Sequence, residues 1–261
     1  MNRGIYPIMS GALAQEQRLQ VISNNLANVN TTGFKRDEPL FRSVLETARA
    51  TAPLPGQSEF VTEPVLFGGR RGADRVFVAP QGLETIFETG RLRSTGNQFD
   101  LAIQGPGFFE IKTPLGIRYT RNGVFHLDNK RRLVNESGFP VMGFNDKKRT
   151  SELKLPEGAV TISPNAKVSV NGEEAGAIKV VEFSDRSRPT KAGDGLYMGV
   201  NPRPAKEATL VQGHIEESAV NTITEMVKMI QVMRAYETAS KMVQTLDRMT
   251  ETMIQDVGRV V

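Results

Sequence analysis

The chain contains no cysteine among its 261 residues. That absence excludes disulfide bonds, thiolate zinc sites and cysteine nucleophiles together. Only two histidines are present, His126 and His214, and neither belongs to a metal-binding spacing such as His-Glu-x-x-His. The Gly105-Pro106-Gly107 turn is followed by Phe108-Phe109, a strand pattern, whereas a dinucleotide loop opens a helix. We therefore expect no catalytic residue, no metal site and no cofactor, and we do not expect an enzyme.

Tryptophan is also absent, and aromatic residues make up 7% of the chain, which disfavours an aromatic platform for sugars or bases. The net charge of +4 is mild. The basic clusters Arg70-Arg71, Arg131-Arg132 and Lys147-Lys148-Arg149 carry no interleaved aromatic residues. We interpret these clusters as solvated turns and predict no nucleic-acid partner.

No apolar run approaches the roughly 20 residues that a membrane-spanning helix needs, so we predict no transmembrane segment. The first residues resemble a signal peptide in having Arg3 before the apolar stretch Ile5 to Ala14. Pro7, Ser10 and Gly11 interrupt that stretch, and the helical pattern continues through the position where cleavage would occur. We therefore expect no cleaved signal peptide.

The end of the chain carries apolar residues at steps of three and four, which is typical of one helix face. Their mean step of about 3.4 residues is closer to the coiled-coil repeat of about 3.5 than to 3.6, and favours a supercoiled partner helix. Asn221 can cap the start of this helix, which also holds six of the ten methionines. The apolar positions are Ile223, Met226, Ile230, Met233, Tyr236, Ala239, Val243, Leu246, Met249, Met253 and Val257.

A second near-heptad pattern begins at Ile5 and continues through Leu19, Ile22 and Leu26. The simplest partner for each terminal helix is the other one, so we predict that 1–35 and 215–261 together form a coiled-coil-like helical domain. The Pro- and Gly-rich segment 36–75 is predicted to be an extended or loop connection.

Short apolar runs separated by Gly, Pro, Asn and Asp fill the middle of the chain, and they predict an inserted β-domain over 76–214. The best hairpin candidate is Arg118 to Phe125, because Asn122-Gly123 suits the positive φ angles of a tight turn. The predicted fold class is α+β, with paired terminal helices and an inserted mainly-β domain.

The first helix closes in an Asn-rich stretch, Asn24-Asn25-Leu26-Ala27-Asn28, followed by Thr31-Thr32-Gly33. Residue chemistry alone favours a frayed helix end at the surface, because Asn competes for backbone hydrogen bonds. The alternative is a row of amides that supplies directional hydrogen bonds between subunits.

The stretch from Asn24 to Lys35 closely resembles the N-terminal signature of the bacterial flagellar rod and hook family, Asn-Asn-Leu-Ala-Asn followed by Asn-Thr-x-Gly-Phe-Lys. Two further blocks are similar to the same family. One runs from Thr95-Gly96-Asn97 through Asp100 to Phe109, and the other from Met229-Ile230-Gln231 through Arg234 to Glu237. The chain departs from the family pattern at Asp128 to Arg132, where relatives tend to have a glycine in the turn.

This resemblance implies a structural, self-assembling subunit of the basal-body rod, the drive shaft that links motor to hook. The proximal rod is the first choice, and a distal rod or hook subunit is the alternative. Partners would be further copies, other rod subunits and the flagellar export apparatus, with assembly in the periplasm. The predicted assembly residues are Ile22, Asn24, Asn25, Leu26, Asn28, Met226, Ile230, Met233, Tyr236, Val243, Leu246 and Met249.

A second hypothesis comes from a different class of protein. The β-domain could bind peptidoglycan or another envelope polymer, with the helices serving only to dimerise the chain. Sedimentation with purified cell wall would support this hypothesis, whereas filaments or large oligomers at rising concentration would support the rod subunit.

Overall fold

A computed structural model describes residues 5–46, 75–144, 150–184 and 188–258. A helix lies near each end of the described chain and strands fill the region between them, which confirms the α+β class. The elements are α1 (Ile5–Ala27), β1 (Asp37–Glu46), β2 (Arg75–Thr85), β3 (Leu92–Ser94), β4 (Leu101–Gln104), β5 (Phe108–Thr113), β6 (Gly116–Thr120), β7 (Phe125–Leu127), β8 (Leu133–Asn135), β9 (Met142–Phe144), β10 (Thr150–Glu152), β11 (Val160–Ile162), β12 (Lys167–Val170), β13 (Glu173–Ile178), β14 (Val180–Glu182), β15 (Thr190–Gly193), β16 (Leu196–Met198), β17 (Arg203–Pro204), β18 (Thr209–Gln212), β19 (His214–Glu216) and α2 (Thr222–Gly258).

Backbone contacts divide the chain into two compact units. The first unit comprises Met1–Ile22, Pro39–Glu84 and Val227–Val261, and the second comprises Ser23–Glu38 and Thr85–Met226. The domain boundaries expected from sequence are different, since they place all of 1–35 with the C-terminal helix. Those boundaries remain a prediction.

The first unit contains most of both helices and of the two-stranded sheet β1-β2. The guanidinium of Arg18 on α1 lies 4.9 Å from the centre of the Phe41 ring on β1, which is a cation–π distance. Strand β1 accounts for most of the described part of the predicted connection 36–75. Residues 47–74 of that connection lie outside the described residues.

The second unit is built from antiparallel sheets. The largest has six strands in the order β15-β16-β6-β5-β14-β17, and the next has five in the order β10-β9-β13-β12-β11. Three two-stranded sheets, β18-β4, β19-β3 and β7-β8, accompany them. The short apolar runs between Leu101 and Val170, such as Phe108 to Ile111 and Val168 to Val170, form strands as expected, because short apolar runs bounded by turn residues are a reliable strand signal.

Strand β5 has apolar residues on both faces because the six-stranded sheet separates two cores. Phe109 and Ile111 face the larger core, where the Phe109 and Phe125 rings meet edge to face with centroids 5.1 Å apart. Phe108 points the other way and packs against Tyr197, with ring centroids 5.4 Å apart. The alternation of a strand places consecutive phenylalanines in different cores.

The hairpin predicted at Asn122-Gly123 is wrong. Strand β6 pairs with β5 and β16, whereas β7 pairs with β8, so the segment between β6 and β7 crosses from one sheet to another. The Asn122 side chain accepts hydrogen bonds from the Val124 amide and the Thr32 hydroxyl, and the carbonyl of Gly123 accepts one from the Leu101 amide at 2.9 Å. Long-range hydrogen bonds therefore override the local turn preference.

The turn from Asp128 to Arg132 forms without the glycine expected from the family pattern. Arg131 occupies the left-handed position with φ of 60°, a conformation that is costly for a residue with a Cβ. The Asp128 carboxylate accepts hydrogen bonds from the backbone amides of Lys130 and Arg132 at 2.9 and 2.8 Å. These hydrogen bonds, led by the one from the Arg132 amide, lower the pKa of Asp128 and hold the turn.

A buried carboxylate gathers distant parts of the second unit. The side chain of Glu216, at the end of β19, is 1% exposed. It accepts hydrogen bonds from the Lys35 ammonium at 2.6 Å, the Arg121 guanidinium at 3.1 Å and the Gly90 amide at 2.7 Å. We call Lys35, Arg121 and Glu216 the ion cluster. Its members lie after α1, after β6 and before α2, so it ties together the segments that lead into and out of the helices.

Neighbouring backbone carbonyls supply further bonds to the two cations of the ion cluster. Lys35 donates to the carbonyl of Glu88, and Arg121 donates to the carbonyls of Ile103 and Gly105 at 3.1 and 2.6 Å. Burial lowers the pKa of the Lys35 ammonium, because desolvation outweighs the attraction of Glu216 and the charge of Arg121 adds repulsion. The single carboxylate neutralises only one of the two positive charges, so the dipoles of these backbone carbonyls are needed to stabilise the second.

Breaking the ion cluster should be costly. We expect Lys35→Met to lower the free energy of unfolding by about 3–5 kcal/mol, because it removes one partner of a buried ion pair. The control is Lys112→Met, which breaks the more exposed pair Lys112–Glu152 and should cost less than about 1 kcal/mol. Urea unfolding gives both values, and equal losses in the two variants would contradict a stabilising ion cluster.

The crossing between β6 and β7 should not tolerate a side chain at Gly123. A Cβ there would collide with the carbonyl oxygen of Leu101, so we expect Gly123→Ala to cost at least about 3 kcal/mol. Gly138→Ala is the control, because that glycine has φ of +79° but open space around its Cβ position, and strain alone should cost about 1–2 kcal/mol. Thermal unfolding measures both variants, and equal losses would show that the close approach does not matter.

Candidate assembly surface

The Asn-rich end of α1 is ordered by its own side chains. Asn25 is 2% exposed, and its amide pairs with the backbone of Asp37 in both directions, donating to the carbonyl at 2.9 Å and accepting from the amide at 3.0 Å. This side chain mimics a backbone peptide and anchors the start of β1. The frayed surface end favoured by residue chemistry is therefore wrong for Asn25.

Asn28 closes the helix end. Its amide donates to the carbonyl of Asn24 at 2.9 Å and accepts from the Thr31 hydroxyl at 3.1 Å. The side chain of Asn24 is exposed, Leu26 is half-buried and Ile22 is buried. The predicted set from this motif thus divides into residues that hold the chain together and residues that face outward.

Helix α2 begins as predicted, with the Asn221 side chain accepting the Thr224 amide at 3.1 Å. At about 1.5 Å per residue its 37 residues span roughly 55 Å. Most of the least exposed residues along it follow a line at steps of three and four, with one step of seven between Val232 and Ala239. We call this line the covered seam, and its members are Glu225, Met229, Val232, Ala239, Val243, Leu246 and Thr250.

The apolar stripe predicted from sequence coincides with the covered seam only at Ala239, Val243 and Leu246. In the first half of the helix the predicted stripe lies one residue or more away from the covered seam, on an exposed face. Ile230 is 53% exposed, whereas Val232 is 9% exposed. Periodicity finds an amphipathic helix but does not separate adjacent apolar lines. The exposed apolar residues of α2 are spread around the helix on both sides of the covered seam, and we call them together the open face. They are Ile223, Met226, Val227, Ile230, Met233, Tyr236, Met242, Met249, Met253 and Ile254.

In the first unit, Ile8 of α1 lines a cavity of about 430 Å³ together with Met242, Leu246 and Met249 of α2. Thr238, Lys241 and Thr245 complete its wall. This contact places the first turns of α1 beside the second half of α2. It does not establish the predicted coiled-coil pairing, which remains a prediction.

Within the part of the chain that the structure describes, no group of three or more His, Asp or Glu side chains could hold a metal ion. None of the described helices is long and apolar enough to cross a membrane. The features that stand out are therefore the ion cluster inside the second unit and the open face of α2. The ion cluster was missed by sequence reasoning, since only the resemblance drew attention to Lys35 and nothing marked Glu216.

Three sequence profiles match successive parts of the chain. Residues 5–35 match "Flagella basal body rod protein", residues 102–180 match "Flagellar hook protein FlgE/F/G D1 domain", and residues 211–256 match "Flagellar basal body rod FlgEFG protein C-terminal". The first and last of these contain the Asn-rich motif, Glu216 and most of α2. The two terminal segments and the middle of the chain therefore match profiles of one family, in the order in which the segments occur along the chain.

Curated relatives align over nearly the whole length. The flagellar basal-body rod protein FlgF of Caulobacter vibrioides is 32% identical over 100% of both chains. The flagellar basal-body rod protein FlgG of Buchnera aphidicola subsp. Schizaphis graminum is 33% identical over 94% of this chain and 96% of its own. FlgG of Bacillus subtilis is 31% identical over 97% and 98%. With end-to-end similarity of this kind, the chain belongs to the family of flagellar basal-body rod proteins.

Proposed function

We propose that this chain is a structural subunit of the flagellar basal-body rod that polymerises through its terminal helices. The observation that carries this proposal is the open face of α2. A helix that leaves Ile223, Ile230 and Met249 at 76%, 53% and 56% exposure gains stability when another molecule covers it, at about 25 cal/mol for each Å² of apolar area. Family membership supports further rod subunits as the molecules that would cover it.

The covered seam and the open face give α2 two apolar surfaces. In the proposed rod, the covered seam packs within the subunit, with α1 and α2 as an antiparallel coiled-coil-like pair, and the open face contacts neighbouring copies. The cavity beside Ile8 supports the antiparallel direction, because it joins the beginning of α1 to the second half of α2. A rod also requires head-to-tail contacts, in which the open face of one copy meets a different surface of the next, because such contacts produce open helical assemblies when the rotation does not close.

The remaining predicted assembly residues take separate roles in this proposal. Asn24 is exposed and Leu26 is half-buried, so both are available to a neighbouring subunit. Asn25 and Asn28 shape the end of α1 and act on assembly through that shape. The inserted β-domain lies outside the helical layer of the rod and carries no catalytic role.

The proposal also covers location and partners. The subunit works in the flagellar basal body, reaches the periplasm through the flagellar export apparatus without a cleaved signal peptide, and joins copies of itself and other rod subunits. The proximal part of the rod is the first position to test. A tagged copy imaged in isolated basal bodies, together with crosslinks from Asn24 or Ile230 to neighbouring subunits, tests position and partners directly.

Three consecutive positions on α2 should behave differently when changed to Asp. Ile230→Asp should leave the free energy of unfolding within about 0.5 kcal/mol, but should abolish concentration-dependent assembly because it would bury a charge between subunits. Gln231→Asp, at an exposed polar position, should change neither property. Val232→Asp should lower stability by about 2 kcal/mol or more, because it places a carboxylate in the covered seam.

Sedimentation velocity over a range of concentrations and urea unfolding measure these outcomes. Normal assembly of the Ile230 variant would contradict a role for the open face. Binding of the wild-type chain to purified cell wall, without any oligomers, would instead favour the envelope-polymer alternative.

Substitutions at the adjacent residues Asn24 and Asn25 should have different effects, one on assembly and the other on stability. We expect Asn25→Ala to lower the free energy of unfolding by about 1–3 kcal/mol, since it leaves the backbone amide and carbonyl of Asp37 without their partner. Asn24→Ala should stay within about 0.5 kcal/mol of wild type and should reduce incorporation into basal bodies. Equal stability losses at the two positions would be inconsistent with this division of roles.

A further inference from the structure

Methionine is concentrated on the exposed surface of α2. Of the ten methionines in the chain, six lie on this helix, and five of those six are 46–61% exposed, with Met229 as the half-buried exception. The thioether is the only readily oxidised side chain available on the open face, because the chain has no cysteine and no tryptophan.

Four of these methionines occur as two pairs, each separated by seven residues. Met226 and Met233 lie on one side of the covered seam, and Met242 and Met249 lie on the other side. Each pair therefore presents two thioethers, about 10 Å apart along the axis, to whatever covers the helix. Met242 and Met249 also line the cavity beside Ile8.

We propose that Met226, Met233, Met242 and Met249 are a reversible oxidation site for two-electron oxidants of the peroxide class, and that their sulfoxides block joining of the subunit. This inference rests on the proposed function, because it assumes that the open face is the surface through which subunits join.

The reaction is an oxygen-atom transfer. The thioether sulfur attacks one oxygen of hydrogen peroxide, an S–O bond forms, the O–O bond breaks, and the other oxygen leaves as water. Sulfur loses two electrons and peroxide gains them, so no further reductant or oxidant is needed. The product is a methionine sulfoxide, which a sulfoxide reductase returns to the thioether.

Oxidation changes the open face from apolar to polar. Each sulfoxide carries a strong hydrogen-bond acceptor that stays solvated in the free subunit and loses its water partners when another molecule covers it. Free subunits expose the sulfurs and react, whereas joined subunits bury and protect them. Leucine would supply similar apolar area without this sensitivity, so the choice of methionine makes joining dependent on the oxidant level.

The test begins with the full-length chain treated with hydrogen peroxide and mapped by peptide mass spectrometry. We expect sulfoxide at the four proposed methionines well before the half-buried Met229 and Met142. Treated protein should need at least a tenfold higher concentration to assemble, and methionine sulfoxide reductases should restore the original concentration. A map in which Met142 and Met229 react as fast as the four would overturn the site.

Variants assign the effect to residues. The fourfold variant changes all four methionines to Leu in a background that carries Met253→Leu, because Met253 is the most exposed methionine of the described residues at 61%. It is compared with its own untreated sample, and its assembly concentration should change less than twofold on oxidation. The control variant carries Met142→Leu and Met198→Leu, both in the β-rich unit, and should remain as sensitive as wild type. Sensitivity that persists in the fourfold variant would overturn the proposal, and so would normal assembly of the fully oxidised wild type.

Failure of the two proposals is distinguishable. Untreated wild-type chain that never assembles contradicts the proposed function, whereas untreated assembly with no oxidation effect contradicts only this inference. The sulfoxide map is independent of assembly and decides the oxidation site in either case.

Discussion

The second unit depends on the interaction of the buried Glu216 carboxylate with Lys35 and Arg121. A lone charge at 1% exposure would be unstable, and this one is matched by two cations and a backbone amide. Both Lys35 and Arg121 have this carboxylate as their ion-pair partner. Since the three segments involved follow α1, follow β6 and precede α2, one buried charge fixes where the chain enters and leaves the β-rich unit.

Helix α2 differs from the interior of the second unit, because much of its apolar surface is exposed to solvent. The second unit encloses its apolar cores and pairs Lys35, Arg121 and Glu216 internally, whereas the helix keeps many aliphatic and thioether side chains exposed. A subunit built in this way is complete in one part and incomplete in another. In the proposed rod, the incomplete part supplies the free energy for assembly, and the complete part keeps its shape while assembly proceeds.

Sequence reasoning was successful where the signal is local. Helix α2, its Asn221 cap and the strands between Leu101 and Val170 follow from periodicity and turn residues. It failed where distant groups decide the structure. The residues Asn122-Gly123 favour a hairpin turn. In the structure, however, Arg121 forms an ion pair with Glu216 and Gly123 lies against Leu101, so no hairpin forms. Similarly, the sequence around Asn25 suggests a frayed helix end. The side chain is ordered only because it forms hydrogen bonds with the backbone of Asp37, which the sequence does not reveal. Along α2, two apolar lines run side by side, and only the fold distinguishes the covered one.

The pairing of β3 with β19 and of β4 with β18 has a consequence for folding order. These pairs join Leu92–Ser94 to His214–Glu216 and Leu101–Gln104 to Thr209–Gln212, segments more than one hundred residues apart along the chain. Contacts of such high sequence separation close large loops and form slowly. A chain synthesised from its N-terminus therefore cannot complete these two sheets until its last fifth has appeared.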